Sequence, residues 1–262
     1  MDSSFEFFSP IPIDIEEIDR AIGGGLIRGT TITIMYDAFS LGWALGFEIF
    51  KNMLFRNSFG VIHNYSLPVI KLISRASFVG LNLQRLAREE RRVKILDIFG
   101  SKYDIPPYDD YVITIPNPTE ETLTPKIERV YEERIYPIAG EKRIVKLIYT
   151  LDGVVTLFDE NVTIKLLNAE VAHLAKVYKR RDIISIFLLN MDVVSRKFVA
   201  WVSGLSDVVI VFNSRIGDGE LVETMSILKS PNPDFEPSTY EFKIAANDGA
   251  HSLSFRKSER NA

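Results

Sequence analysis

The chain alternates apolar, β-branched segments with segments of helical periodicity, and this alternation limits the fold more than any other feature. Seven segments indicate strands: residues 30–36, 59–65, 93–97, 111–115, 144–149, 183–189 and 208–212. Several lack alternating polar residues, as parallel strands do when helices cover both faces of a sheet. Residues 224–255 alternate instead, with Asn247-Asp248-Gly249 as a hairpin signal. The pattern predicts an α/β fold with a doubly wound, mostly parallel sheet, helices on both faces and a C-terminal antiparallel meander.

The first predicted strand runs through a short turn into a helix, which is the arrangement of a phosphate-binding loop. Trp43, Phe47, Phe50 and Leu54 form an apolar stripe at helical spacing after the turn. P-loops place G-x-x-x-x-G-K-[ST] here: the backbone amides surround the phosphates, the lysine neutralises them and the hydroxyl binds Mg²⁺. The eight equivalent positions in this chain are Tyr36, Asp37, Ala38, Phe39, Ser40, Leu41, Gly42 and Trp43.

The substitutions in this turn argue against binding a nucleotide in the usual way. The two glycines, the lysine and the hydroxyl residue are replaced, in that order, by Tyr36, Leu41, Gly42 and Trp43. Loss of one hydrogen bond from a charged lysine costs about 1.5–3 kcal/mol. Asp37 also adds a negative charge where the phosphates would arrive. We therefore predict that Phe39, Leu41 and Trp43 fill the groove and convert an anion site into a packed loop.

The segment before the turn carries a specific family pattern. "IDIEEIDRAIGGGLIRGTTITI", residues 13–34, resembles the entry segment of the KaiC-like branch of the RecA ATPases, T-G-I-x-x-L-D-x-x-L-G-G-G-I-P-R-G-S. The matching positions are Ile15, Ile18, Asp19, Ile22, Gly23, Gly24, Gly25, Arg28 and Gly29. The family's opening T-G and its proline are replaced by Ile13-Asp14 and Ile27. The resemblance implies a single RecA/KaiC-like domain over residues 1–262.

A smaller group of proteins shares two further segments with this chain. It is a set of uncharacterised archaeal proteins with a "YD-x-x-S" turn and a "KSPNP" segment. The corresponding residues here are Tyr36-Asp37 with Ser40, and residues 229–233. The chain resembles this set as well as the larger family.

The resemblance also locates the positions of the family's catalytic groups. The spacing that follows its S-x-E-E segment puts the paired glutamates on Ser66 and Leu67, and residues 61–79 contain no acidic residue. Without a base, an attacking water has no partner to orient it. Lys229 matches a lysine that the family places near a neighbouring subunit's nucleotide. The family's arginine two residues later is Pro231 here, so this interface candidate is incomplete.

The acidic residue that would hold Mg²⁺ has two candidate positions. If the relevant strand is "RIVKLIYT", these positions are Tyr149 and Thr150, and the acid is lost. If it is "GVVTLFDEN", Asp159 and Glu160 could hold the metal and polarise water. The first strand is favoured because "VVTLF" can equally begin a helix.

Composition excludes several other kinds of site. Thirty-five acidic and thirty-one basic residues give a net charge of −4, which provides no overall attraction for nucleic acid. The absence of cysteine removes disulfides, thiolate metal sites and a cysteine nucleophile. No apolar run reaches the length of a membrane span and the N-terminal segment lacks a basic region, so we expect a cytoplasmic protein without a membrane partner.

These observations predict a catalytically inactive RecA/KaiC-like domain that serves as a regulatory or scaffolding interaction module. We expect no cofactor and no catalytic residue, and a protein partner or a second copy of the chain as the binding partner. One alternative is an unconventional NTPase that binds ATP and Mg²⁺ with Asp159 and Glu160. The other is a nucleic-acid-binding RecA paralogue that uses residues 116–143.

Overall fold

A computed structural model of the chain describes residues 9–217, 219–247 and 250–257, and every described strand belongs to one ten-stranded sheet. The strands are Thr31–Tyr36 (β1), Phe59–Asn64 (β2), Val93–Asp97 (β3), Val112–Thr114 (β4), Ile144–Tyr149 (β5), Ile183–Asn190 (β6), Val208–Gly217 (β7), Glu220–Lys229 (β8), Ser238–Asn247 (β9) and Ala250–Lys257 (β10). Their order across the sheet is β10-β9-β8-β7-β1-β6-β5-β2-β3-β4.

The pairing divides this sheet into a parallel part and an antiparallel part. Strands β1 to β7 pair in parallel, and β7 to β10 form an antiparallel meander. This confirms the predicted mostly parallel α/β sheet with its C-terminal meander. The last two strands do pair as a hairpin, but two residues of its predicted turn, Asp248 and Gly249, lie outside the described residues.

One helix precedes β1, and the others lie in the connections between the parallel strands. They are Glu16–Ala21 (α1), Trp43–Phe55 (α2), Val69–Phe78 (α3), Leu83–Arg88 (α4), Ile98–Lys102 (α5), Leu123–Val130 (α6), Tyr136–Ala139 (α7), Leu151–Phe158 (α8), Glu160–Val177 (α9) and Arg196–Leu205 (α10). A π-helical turn, Tyr131–Ile135, joins α6 to α7, and a 3₁₀ turn, Met191–Val193, follows β6. None of the described helices is both long and apolar enough to span a lipid bilayer.

Apolar side chains from alternate strand residues form two cores, one on each face of the sheet. Ile32 and Ile34 of β1 belong to the core that contains α2 and α3, whereas Met35 belongs to the core that contains α8, α9 and α10. Because both faces are covered, the central parallel strands can be apolar at every position. This explains why the strand signal in the sequence is a continuous apolar run.

The segment "VVTLF" is helical, which decides between the two candidate strands. Strand β5 ends at Tyr149, and residues 154–158 belong to α8. The Thr150 hydroxyl caps this helix, since it accepts a hydrogen bond from the Gly153 N–H at 3.1 Å. The interpretation of residues 153–161 as a strand is therefore wrong.

Gly25, in the segment that precedes β1, is required by close backbone contact. Its φ is +138°, and a Cβ atom there would collide with the carbonyl of Ile11. Ile11 pairs with Leu26 in an isolated bridge, with N···O distances of 2.7 and 2.8 Å. The glycine-rich segment thus lies directly against the chain that enters the domain.

Candidate functional site

The β1–α2 loop, residues 36–43, lies at the carboxyl end of the parallel strands. In open α/β sheets this end is where ligands bind, next to the strand at which the direction of chain progression reverses. Here β1 lies between β6 and β7, so the connection from β6 to β7 passes over it. The loop therefore occupies the position in which a nucleotide-binding fold holds its phosphates.

Backbone N–H groups of the β1–α2 loop donate hydrogen bonds to side chains of the chain itself. The four donor and acceptor pairs are Ala38 with Asp192 (2.8 Å), Phe39 with Asp37 (3.0 Å), Leu41 with Glu223 (2.7 Å) and Gly42 with the Ser40 hydroxyl (2.9 Å). A P-loop directs equivalent donors toward phosphate oxygens. In this loop those donors already have acceptors.

Three carboxylates take the place that phosphate oxygens have in a P-loop. Asp37 follows β1, Asp192 lies in the 3₁₀ turn after β6, and Glu223 belongs to β8. The Asp37 carboxylate also accepts hydrogen bonds from the N–H and hydroxyl of Ser214 in β7. Bonds from N–H groups to ionised acceptors are stronger than neutral ones, and the three negative charges oppose the approach of a phosphate.

Gly42, at the position of the P-loop lysine, packs against a core aromatic ring. A Cβ atom at Gly42 would lie 2.5 Å from Cγ of Phe212. Phe212 is fully buried and makes an edge-to-face contact with Phe242, with 4.8 Å between ring centroids. The backbone at Gly42 is ordinary right-handed helix, so the glycine is needed for space and not for its torsion angles.

Trp43, at the position of the hydroxyl that would bind Mg²⁺, is buried in an aromatic cluster. Its ring centroid lies 6.1 Å from that of Phe47 and 5.5 Å from that of Phe78. The Arg75 guanidinium stacks over the indole at 4.6 Å, a cation–π contact. Trp43 therefore fills this part of the groove, as predicted.

The prediction that Phe39 also fills the groove is wrong. The Phe39 side chain is 77% exposed, while Leu41 is half-buried against the core on the α2 side. The Asp37 carboxylate accepts hydrogen bonds from the Phe39 N–H and from the N–H and hydroxyl of Ser214. Polar contacts therefore hold this part of the turn in place of apolar packing by Phe39.

The positions predicted to correspond to catalytic acids contain neutral groups. The Ser66 and Thr150 hydroxyls lie 2.7 Å apart. Burial raises the pKa of Tyr149 to about 12, and its hydroxyl hydrogen-bonds Arg75. These side chains supply no carboxylate to activate water.

Asp152, in the first turn of α8, is a partly buried carboxylate that the sequence reasoning missed. Burial raises its pKa, although it accepts a hydrogen bond from the Asn190 N–H at 2.9 Å. An acidic residue three positions after a predicted strand was the available signal. Its partner lies at the end of β6, so Asp152 joins two strand ends at this edge of the sheet.

Asp159 and Glu160 bind helix ends in this structure. Asp159 caps α9 by accepting a hydrogen bond from the Val162 N–H at 2.9 Å. Glu160 accepts hydrogen bonds from the N–H and hydroxyl of Ser195, both at 2.6 Å. Over the described ranges, no group of three or more His, Cys, Asp or Glu side chains is arranged to hold a metal ion.

Lys229 binds the end of a helix of its own chain. Its ammonium donates to the carbonyls of Ser203 and Gly204, each at 3.1 Å. These carbonyls belong to the last turn of α10, where a positive charge is favourable. The side chain proposed to reach a neighbouring subunit is thus engaged within the domain.

Four exposed apolar side chains lie on the β1–α2 loop and on the two segments that hydrogen-bond it, and we call them the apolar rim: Phe39, Val193, Ile216 and Leu221. Their exposed fractions are 77%, 59%, 83% and 54%, respectively. Val193 follows Asp192, the acceptor for the loop. Ile216 and Leu221 are cross-strand partners in the β7–β8 hairpin.

The strand register places the hairpin part of the apolar rim on the loop side. Ser214 and Glu223 are directly opposite each other, and both bind the loop. Ile216 and Leu221, the pair two residues further along, point to the same side because side chains alternate along a strand. The loop and the hairpin therefore present their exposed apolar residues at one end of the sheet.

Comparison with known proteins gives a structural likeness only. No family model and no curated protein matches the chain. The fold is similar to that of an uncharacterised protein from Pyrococcus horikoshii, whose crystal structure was determined in complex with an unknown peptide. The TM-score is 0.78 with 20% sequence identity, covering 94% of this chain and 99% of the other. At this identity the likeness establishes a shared fold.

Proposed function

We propose that this chain is a RecA/KaiC-like domain that does not hydrolyse ATP and acts as a regulatory or scaffolding module by binding a protein partner. The proposal rests on one observation: N–H groups of the β1–α2 loop donate hydrogen bonds to the carboxylates of Asp37, Asp192 and Glu223. A triphosphate would have to displace these acceptors. It would then leave carboxylates without their hydrogen bonds beside its own negative charges, at a cost of about 1–3 kcal/mol for each unsatisfied group.

Titration of the full chain with Mg-ATP and Mg-GTP should show no saturable binding. The N–H groups of Ala38, Phe39, Leu41 and Gly42 already have acceptors, and the positions of the P-loop lysine and hydroxyl hold Gly42 and Trp43. We therefore expect neither a calorimetric heat of binding nor a thermal shift at millimolar nucleotide. A ligand at 100 times its Kd would stabilise the protein by about 2.7 kcal/mol, which a thermal shift resolves easily. Micromolar affinity together with turnover would contradict the proposal.

The partner surface that we propose is the apolar rim. Four exposed apolar side chains at one end of the sheet favour contact with another protein, since exposed apolar patches mark interaction sites. The peptide bound to the structurally similar Pyrococcus protein supports a peptide segment of a partner as the occupant. A second copy of the chain is the competing occupant, and it would appear as concentration-dependent association in sedimentation.

Peptides selected from a random library on the full chain should lose at least about tenfold in affinity for the Leu221→Asp variant, because one buried apolar contact contributes roughly 1–3 kcal/mol. Leu228→Asp provides the matched control: it lies on the same strand and is 52% exposed, against 54% for Leu221. Fluorescence anisotropy measures both. Equal affinity for the two variants would exclude the apolar rim as the binding surface.

A further inference from the structure

A cavity of about 60 Å³ lies in the core on the face of the sheet opposite α2. It is bordered by β2, β5 and β6 on one side and by α6, the π-helical turn, α8 and α9 on the other. Its walls are mainly apolar, with Ile127, Ile148, Val154, Leu167 and Phe187 among them. Lys146 of β5 also lines the cavity, and it is only 1% exposed. A lysine this deeply buried is rare unless it is paired or functional.

The surroundings of Lys146 combine one carboxylate with aromatic groups. The ammonium forms an ion pair with Glu170 of α9, and it lies 5.9 Å from the ring centroid of Tyr131. The Tyr131 hydroxyl is 2.9 Å from Nε2 of His63. Tyr131 begins the π-helical turn between α6 and α7, and such turns recur at functional sites.

One further hydroxyl faces the cavity. Tyr65 lines it and is 6% exposed. Its hydroxyl can donate a hydrogen bond to, or accept one from, a polar atom of a small ligand.

The remaining titratable groups that face the cavity are His173 of α9 and Glu128 of α6, which lie 3.2 Å apart at its more exposed end. Burial lowers the pKa of His173, and burial with the nearby Lys146 charge lowers the pKa of His63 far more. Both imidazoles are therefore neutral at pH 7. Glu170 attracts the Lys146 ammonium, but burial lowers the pKa of Lys146 to about 7, so part of the amine is unprotonated at that pH.

We propose that Lys146 is a reactive amine that forms an imine with a small, uncharged aliphatic aldehyde bound in this cavity. The geometry limits the ligand in three ways. The small volume excludes large ligands, the apolar walls favour an aliphatic chain, and the existing Lys146–Glu170 pair leaves no counter-ion for a charged ligand. A desolvated lysine in an apolar pocket is the usual nucleophile for a carbonyl group.

The step requires only groups already at the site. Glu170 takes a proton from the ammonium, and the free amine of Lys146 forms a bond from Nζ to the carbonyl carbon. The nitrogen loses a proton and the oxygen gains one, giving the carbinolamine. Glu170 then returns its proton to the departing hydroxyl, which leaves as water. The net change is ammonium plus aldehyde to iminium plus water, with no oxidation or reduction.

Acetaldehyde with cyanoborohydride tests this on the native chain at pH 7, since it is small enough for a cavity of about 60 Å³. Reduction traps the imine as an ethyl amine, and peptide mass mapping locates it. Because burial lowers the pKa of Lys146, a larger share of its amine is unprotonated at this pH than for a lysine with an ordinary pKa. Allowing for its lower nucleophilicity, we expect Lys146 to react on the order of tenfold faster than exposed Lys176 and Lys197. Labelling of exposed lysines with Lys146 unmodified would overturn the proposal.

Three controls separate this reaction from general amine labelling. In urea the Lys146 peptide should be labelled like the others, which shows that it is detected. Glyoxylate, an aldehyde with a carboxylate, should label exposed lysines and spare Lys146. Glu170→Gln keeps the shape of the side chain but removes the carboxylate that accepts and returns the proton. It should slow labelling of Lys146 at least about tenfold. Unchanged labelling in this variant would remove Glu170 from the step.

Discussion

Replacement of Trp43 by alanine is expected to lower the free energy of unfolding by about 3–5 kcal/mol. The indole is buried between Phe47 and Phe78, with the Arg75 guanidinium over its face. Its removal leaves a cavity at the start of α2 and deprives Arg75 of its aromatic partner. Urea unfolding followed by far-ultraviolet circular dichroism measures the change.

Phe39→Ala is the matched control, since Phe39 is an aromatic residue of the same loop with a 77% exposed side chain. Its replacement should change the free energy of unfolding by no more than about 0.5 kcal/mol. Similar losses for the two variants would contradict the description of Trp43 as the packed residue of the β1–α2 loop.

Gly42→Ala is expected to lower the free energy of unfolding by about 1–3 kcal/mol, because the added methyl group overpacks the core. The new Cβ would lie 2.5 Å from the Phe212 ring, which is buried and cannot move aside without disturbing Phe242. A lysine at this position would meet the same obstacle. Gly42→Lys alone should therefore destabilise the chain and give no nucleotide affinity.

Replacement of glycine by alanine in α10, at Gly204, should not lower the free energy of unfolding. A Cβ at Gly204 would have no atom within 4 Å, and alanine is favoured over glycine in helices by about 1 kcal/mol. Gly204→Ala should thus be neutral or stabilising in thermal unfolding. Equal destabilisation by both variants would mean that the Phe212 contact is not the cause.

The parallel strands could be predicted from the sequence because both of their faces are buried. The predicted bounds of β3, residues 93–97, and β5, residues 144–149, agree with the structure. Strand β7 was predicted to end at residue 212 but extends to Gly217. Its last five residues pass beyond the end of β1 and pair with β8 alone. They are more exposed, so the apolar run that marks the buried part does not continue through them.

The sequence predicted which P-loop residues the candidate site lacks, but not which residues bind the loop in their place. The missing glycines, lysine and hydroxyl are visible in eight consecutive residues. The acceptors that bind the loop N–H groups cannot be identified from the sequence, because Asp192 and Glu223 lie 154 and 182 residues from the N–H groups that they bind. Lys146 had a local signal, a single charge within the apolar run "IVKLIY", which is unusual for a strand covered on both faces.

The hydrogen bonds from the β1–α2 loop to Ser214 and Glu223 have a thermodynamic consequence for recognition. They tie the loop to both strands of the β7–β8 hairpin, so Phe39, Ile216 and Leu221 belong to one mechanically coupled unit. A binding partner then meets a preorganised surface and spends little free energy on ordering it. In a P-loop protein the bound phosphate orders the loop, whereas in this chain side chains of the protein itself, Asp37, Asp192 and Glu223, order it.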